Sequence, residues 1–85
     1  MTLRERLEEE GYEDVVLFEN YDYEPAFIGV SFDGRAVYDY DLMVKYLVDK
    51  EGWEVIQAIE WIEYNTLRAL PYISNAPIVI ERFDE

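Results

Sequence analysis

The dipeptide Asp33-Gly34 most constrains the fold of this chain, because it lies between two short apolar runs. These runs are PAFIGVSF at residues 25–32 and RAVY at residues 35–38. Asp-Gly between two apolar segments is the strongest short-range signal for a β-hairpin. We therefore predict two antiparallel strands here, with Pro25 at the start of the first, where its missing N–H is tolerated.

Two further segments have the composition of strands. The sequence DVVLFEN, at residues 14–20, is rich in β-branched and aromatic residues and is bounded by acids and by Asn20. The sequence APIVIER, at residues 76–82, has a similar apolar centre and carries Pro77 near its start. Both patterns are typical of short strands.

Three segments are predicted to be helical. The first begins at Thr2, which forms the pattern of a capping box with Glu5. The second begins at Asp39, a favourable N-cap residue. The third is the longest, covers residues 53–70 and is stopped by Pro71, which cannot continue a helix.

The predicted order of elements is therefore α-β-β-β-α-α-β, in a single domain that covers residues 1–85. A run of strands followed by a run of helices favours an α+β fold. We expect a small, mostly antiparallel sheet of three or four strands, covered by two or three helices.

The composition excludes several classes of enzyme. The chain has no histidine and no cysteine, so it lacks the commonest general base, the commonest zinc ligand and any thiol nucleophile. A carboxylate pair such as Asp22 and Asp39 could hydrolyse a glycoside, but a chain this small leaves little room for the necessary cleft. We expect a non-enzymatic protein with no catalytic residue, no cofactor and no bound metal ion.

No apolar run approaches the length of a membrane span, and the N-terminus lacks the apolar centre of a signal peptide. We therefore expect a cytoplasmic protein.

The charge favours one kind of partner. Twenty acidic residues face seven basic ones, for a net charge of -13, and the stretch from Glu8 to Glu24 holds eight acids and no base. Contacts with phosphate groups need Lys and Arg, so direct binding to nucleic acid or to an anionic membrane is disfavoured. A basic protein partner is favoured.

Two surfaces are candidates for binding that partner. The first combines the acidic stretch with the earlier of two Tyr-Asp-Tyr triplets, and its residues are Glu8, Glu9, Glu10, Glu13, Asp14, Tyr21, Asp22, Tyr23 and Glu24. The second is an aromatic face of the long predicted helix, formed by Trp53, Trp61 and Tyr64, which would suit an adaptor or a homodimer.

Each surface also has a purely structural interpretation. Asp39, in the later triplet, is accounted for as a helix cap, and Asp22 lies where aspartates commonly make turn hydrogen bonds. The aromatic face would be buried if its helix lies between the sheet and a neighbouring helix.

Three segments together resemble a family of small acidic proteins from phages and integrated mobile elements of Gram-positive gut bacteria. They are TLRERLEEEGYEDVV, AFIGVSFDGRAVYDYDLMV and AIEWIEYNTLRALPY with the later APIVI, and they span most of the chain. The resemblance implies an inhibitor of the anti-CRISPR or other anti-defence kind, acting in the host cytoplasm. Such a protein would bind a basic, nucleic-acid-binding host protein as an acidic DNA mimic.

No activity is established for this family as a whole, so no functional residue is carried over from it. The chain also departs from the family where a helix-capping threonine usually follows Gly-Met. Here the sequence is Gly52-Trp53-Glu54, so the start of the third helix is expected to shift by a residue or two.

Overall fold

A computed structural model of the chain describes residues 2–83. These residues form a small α+β fold with a three-stranded sheet, as the sequence predicts. The elements in chain order are α1 (Leu3–Glu9), β1 (Phe27–Val30), β2 (Ala36–Asp39), α2 (Tyr40–Glu51), α3 (Val55–Trp61) and β3 (Ile78–Ile80). The described order, α-β-β-α-α-β, has one strand fewer than the prediction.

The sheet has the order β1-β2-β3, with β1 and β2 antiparallel and β2 and β3 parallel. The hairpin prediction is confirmed: Gly34 has a φ of 81°, and its N–H donates to the Ser31 carbonyl at 3.0 Å. The sheet is mixed, and not mostly antiparallel, because β3 follows a crossover through α2 and α3. A crossover of that length returns the chain parallel to the strand that it left.

The predicted strand at residues 14–20 is wrong, because these residues form neither helix nor strand. The Phe18 ring packs on Tyr38 with centroids 4.7 Å apart, and the Phe18 N–H donates to the Tyr38 hydroxyl at 3.3 Å. Tyr38 belongs to the middle strand, so these contacts place the segment over the face of the sheet. Among the described residues β2 is already paired on both sides, with β1 and β3, so the segment cannot pair with the strand that it contacts.

The local signals at the helix ends are confirmed. Thr2 and Glu5 form a complete capping box, with bonds of 3.1 and 2.8 Å. Asp39 Oδ1 accepts the Leu42 N–H at 3.0 Å and caps α2. The third helix begins at Val55, slightly later than predicted, with Glu54 as its N-cap.

The third helical segment changes form along its length. After α3 the chain continues as a π-helix at Ile62–Thr66 and a 3-10 helix at Leu67–Tyr72, which contains Pro71. The Asn65 side-chain amide donates to the Trp61 carbonyl at 3.1 Å, the acceptor that the Asn65 backbone N–H would use in an α-helix. The predicted helix at residues 53–70 is therefore observed as a helical run from Val55 to Tyr72 that is α-helical only in its first part, and Pro71 does not stop it but lies inside the 3-10 helix.

The core lies between the sheet and the helices. Its fully buried large side chains include Tyr23, Tyr38, Met43, Leu47 and Ile62. Within the described residues 2–83, no helix is long and apolar enough to cross a bilayer.

Candidate functional site

The eight acids between residues 8 and 24, hereafter the acidic stretch, are all exposed. They are Glu8, Glu9, Glu10, Glu13, Asp14, Glu19, Asp22 and Glu24. The salt bridges found among residues 2–83 are Arg35–Asp33, Lys45–Asp49 and Arg82–Asp39, and none of them uses an acid of the stretch. The charge of the acidic stretch is therefore not neutralised by ion pairs within the described part of the chain.

Arg4 fixes the position of the acidic stretch without pairing with its carboxylates. Its guanidinium donates to the carbonyl oxygens of Glu13 at 3.4 Å and Val15 at 2.8 Å. Because Arg4 lies on α1, these bonds tie the backbone after Gly11 to the helix. The carboxylates of Glu13 and Asp14 remain free to face the solvent.

Asp22 has the turn function expected of it. Its Oδ1 accepts the Glu24 N–H at 3.1 Å and the Tyr46 hydroxyl at 3.1 Å. Burial of the Tyr46 phenol and its hydrogen bond to Asp22 raise the pKa of Tyr46 to about 12. The phenol therefore stays neutral at physiological pH and orients the Asp22 carboxylate without cancelling its charge.

Tyr23 does not belong to the predicted contact surface. Its side chain is fully buried, and its hydroxyl and the Thr66 hydroxyl form a hydrogen bond of 2.8 Å. Burying so large a ring stabilises the core, provided that the hydroxyl finds a polar partner, and Thr66 supplies one. The prediction that Tyr23 contacts a partner is therefore corrected.

Tyr21 is half-buried and occupies the centre of an aromatic cluster. Its ring contacts Tyr23, Tyr46, Trp53 and Trp61, with centroids 5.7 to 6.4 Å apart and edge-to-face geometry. Its hydroxyl donates to Glu51 Oε2 at 2.8 Å, and this bond, with a smaller effect of burial, raises the pKa of the phenol. Tyr21 therefore joins the acidic stretch to the core.

The aromatic face of the third helix is largely part of the same cluster. Trp53 and Trp61 are half-buried and pack on each other with centroids 5.7 Å apart. Tyr64 is 65% exposed, and Arg68 stacks over its ring at 5.5 Å. Only Tyr64 of the three predicted residues is thus fully on the surface, while α3 also exposes Val55 and Ile56, which the sequence interpretation missed.

The indole N–H of Trp61 is the one buried side-chain nitrogen or oxygen within residues 2–83 that has no partner of hydrogen-bonding geometry. Burial raises the pKa of Tyr23, whereas the nearby Thr66 hydroxyl and Trp61 indole lower it. The Tyr23 and Thr66 hydroxyls are therefore a bonded polar pair inside an otherwise apolar core.

The two Tyr-Asp-Tyr triplets do not form a paired carboxylate site. Asp39 is buried, and its two oxygens are engaged by the Leu42 N–H and by Arg82 Nε, the latter at 2.5 Å. Burial alone would raise the pKa of Asp39, but the Leu42 and Arg82 contacts outweigh it and lower the pKa. Asp39 is therefore a charged helix cap at neutral pH, with both oxygens already occupied by hydrogen bonds.

Sequence reasoning missed a groove of about 370 Å³ beside the segment that lacks its predicted strand. One wall consists of the consecutive residues 16–20. The other comes from the π-helix, the 3-10 helix and the approach to β3, through Asn65, Thr66, Ala69, Ile73 and Pro77. These walls are distant in sequence, so the strand-like composition of residues 14–20 was the only local signal.

Among residues 2–83 there is no group of three or more acidic, histidine or cysteine side chains that could hold a metal ion. Comparison with known proteins finds no matching protein-family model, curated protein or solved structure. The resemblance to small acidic phage proteins therefore stays a prediction from the sequence.

Proposed function

We propose that this protein binds a basic, nucleic-acid-binding protein and blocks the site in which the nucleic acid would lie. It would be a non-enzymatic inhibitor of the anti-CRISPR or other anti-defence kind, made by a phage or mobile element and active in the host cytoplasm. The observation that carries this proposal is the acidic stretch, whose eight carboxylates are exposed and form no salt bridge within the described chain.

The charge density supports mimicry of a duplex. The protein is 37 Å long in its longest direction and carries a net charge of -13. A DNA duplex of that length carries roughly 22 phosphate charges, at one charge per ~1.7 Å. The protein thus presents more than half of the charge of the duplex that it would replace.

Carboxylates can take the place of phosphates because both offer anionic oxygens to Arg and Lys side chains. Arg binds either group through two parallel N–H···O bonds, and Lys binds either as a point charge. The binding residues would be Glu8, Glu9, Glu10, Glu13, Asp14, Asp22 and Glu24, with the exposed part of Tyr21 beside them. The mechanism would be steric and electrostatic competition, without direct binding to nucleic acid or membrane.

The experiment is a pull-down from a bacterial lysate at about 50 mM and about 500 mM salt, a range over which screening becomes strong. We expect basic nucleic-acid-binding proteins to be retained at the low salt concentration, released at the high one and displaced by added DNA. An affinity for the captured protein that is equal at both salt concentrations would refute the proposal.

A matched pair of variants separates the acidic stretch from net charge. The triple variant Glu8→Gln, Glu9→Gln, Glu10→Gln should bind the captured protein more weakly, by about tenfold or more, since charged contacts of this kind control both association and affinity. The control variant Glu60→Gln, Glu63→Gln, Glu81→Gln removes the same charge from other exposed positions. Equal weakening by both variants would show that only the total charge matters.

The alternative proposal is an adaptor or homodimer that works through the aromatic face. This alternative is less well supported, because the rings of Trp53 and Trp61 are packed against Tyr21 and against each other, and less of their surface is left for a partner. Tyr64→Ala tests it with little risk to folding, since Tyr64 is 65% exposed. A partner retained at both salt concentrations and lost with Tyr64→Ala would favour this alternative.

A further inference from the structure

Residues 14–20 combine a strand-forming sequence with a backbone that has almost no partners. Among residues 2–83, no backbone–backbone hydrogen bond is found for residues 16–22. The backbone contacts that do occur within residues 13–20 come from side chains, namely Arg4 to two carbonyls and Tyr38 to the Phe18 N–H. A chain segment of this composition normally satisfies its N–H and C=O groups in a sheet.

The segment borders the groove along its length. Residues 16–20 all line the 370 Å³ groove, so a second chain lying in the groove would meet them in succession. The opposite wall supplies apolar contacts from Ala69, Ile73 and Pro77. Among the described residues that line the groove, Glu19 alone is charged.

The surroundings of the groove select the charge of its occupant. Glu13 and Asp14 precede the segment in the chain, and Asp22 and Glu24 follow it, all exposed. Arg4, the base that contacts this region, is directed at the backbone carbonyls of Glu13 and Val15. An occupant with Lys or Arg side chains is therefore attracted, and a second copy of this chain, with a net charge of -13, is repelled.

We propose that residues 16–20 accept an extended segment of a basic partner protein as an added β-strand. Main-chain hydrogen bonds to this segment would give affinity, and alternate side chains would give specificity. Apolar residues of the partner would enter the groove against Ala69 and Ile73, while Lys or Arg between them would face the flanking carboxylates. The inference rests on the proposed function for the charge of the partner and adds the conformation in which it binds.

The test uses the full-length, ¹⁵N-labelled protein and a short peptide of about nine residues that alternates arginine with valine. We expect the amide signals of residues 16–20 to shift on titration and to become protected from hydrogen exchange. The matched peptide carries N-methyl groups on the alternate residues whose N–H groups would face residues 16–20, which removes those main-chain donors and keeps every side chain and charge. It should bind about tenfold more weakly or worse.

A pair of protein variants tests the main-chain hydrogen bonds by changing a backbone donor of the protein in place of those of the peptide. Glu19→Pro removes one backbone N–H, and Glu19→Ala removes the same side chain but keeps that donor; Glu19 is exposed, so both variants should fold. We expect Glu19→Pro to weaken peptide binding several-fold more than Glu19→Ala.

Three results would overturn strand addition. They are equal affinity of the plain and N-methylated peptides, shifts confined to β1 or β3, and protection of residues 16–20 that appears without peptide as the protein concentration rises. The last result would identify the occupant as a second copy. If the peptide does not bind but the protein still captures a basic protein from the lysate in a salt-dependent way, strand addition is rejected and the proposed function stands. If the protein captures no basic protein in a salt-dependent way, the proposed function itself is rejected.

Discussion

The hydrogen bond between Tyr23 and Thr66 offers a direct test of how the core holds the first Tyr-Asp-Tyr triplet. Both side chains are buried, at 0% and 7% exposure, and their hydroxyl oxygens lie 2.8 Å apart. Tyr23→Phe deletes the bond and leaves the Thr66 hydroxyl buried without this partner. The expected loss of stability is about 1–2 kcal/mol, the cost of one unsatisfied buried hydroxyl.

Thr66→Val should have the smaller effect of the two single changes. It leaves the Tyr23 hydroxyl in place, and the nearby Trp61 N–H, which otherwise lacks a well-formed bond, can then be its partner. We expect a loss of about 1 kcal/mol. The double variant replaces both hydroxyls by apolar groups, so its loss should be smaller than the sum of the single losses by about 1 kcal/mol.

The assay is urea unfolding followed by far-ultraviolet circular dichroism, combined into a double-mutant cycle. Thermal unfolding gives a second readout, because 1 kcal/mol corresponds to a shift in Tm of about 4–8 °C for a domain of this size. Tyr72→Phe is the matched control, since Tyr72 is 89% exposed and its change should be near zero. Losses that add to within ~0.3 kcal/mol in the double variant would refute the reasoning.

Two further predictions concern titration. Asp39→Ala should cost about 1–2 kcal/mol at pH 7 through the lost helix cap. The folded-state pKa of Asp39 lies below the ordinary value of 3.8, so the stabilisation that depends on its charge is present above pH 3.8 and is lost as the pH falls through the folded pKa. The variant Asp39→Asn cannot lose this charge, so its stability should fall less than that of the parent on acidification. Urea unfolding at pH 7 and pH 3 would measure the difference. Tyr46→Phe should abolish the phenol that titrates near pH 12 in an absorbance titration, and Asp22→Asn should lower its pKa, because a cause of the elevation is removed. The pKa of Tyr46 is raised on folding, so the stability that Tyr46 contributes is present below pH 10 and declines as the pH approaches 12. If Asp22→Asn left the pKa of Tyr46 unchanged, the hydrogen bond to Asp22 would not be a cause of its elevation.

The parts of the fold that the sequence predicts are those decided by residues close in the chain. The hairpin at Asp33-Gly34, the capping box of Thr2 and the Asp39 cap each depend on contacts within a few residues. The mixed sheet depends instead on the crossover between β2 and β3. The position of residues 14–20 depends on contacts between Phe18 and Tyr38 of the middle strand, which lie 20 residues apart in the chain.

The candidate site likewise has features that the local sequence predicts and features that depend on distant contacts. Exposure of the acids follows from the high cost of burying charge, so it was predictable. Tyr21 and Tyr23 are the same residue type in the same triplet, yet Tyr21 is half-buried and Tyr23 is fully buried. What separates them is the position of Thr66, which is 43 residues away from Tyr23 in the chain. No local pattern contains that information.

The tyrosines explain how the chain keeps its carboxylates ordered and its charge high. Tyr21 donates to Glu51 and Tyr46 donates to Asp22, each through a neutral hydroxyl at 2.8 and 3.1 Å. A lysine or arginine at either position would order the same carboxylate but would cancel its charge. With eight tyrosines and only seven basic residues, the chain retains a net charge of -13. Because the rings of Tyr21 and Tyr46 also pack against the core, the same two side chains stabilise the fold and leave the acidic surface without compensating positive charge.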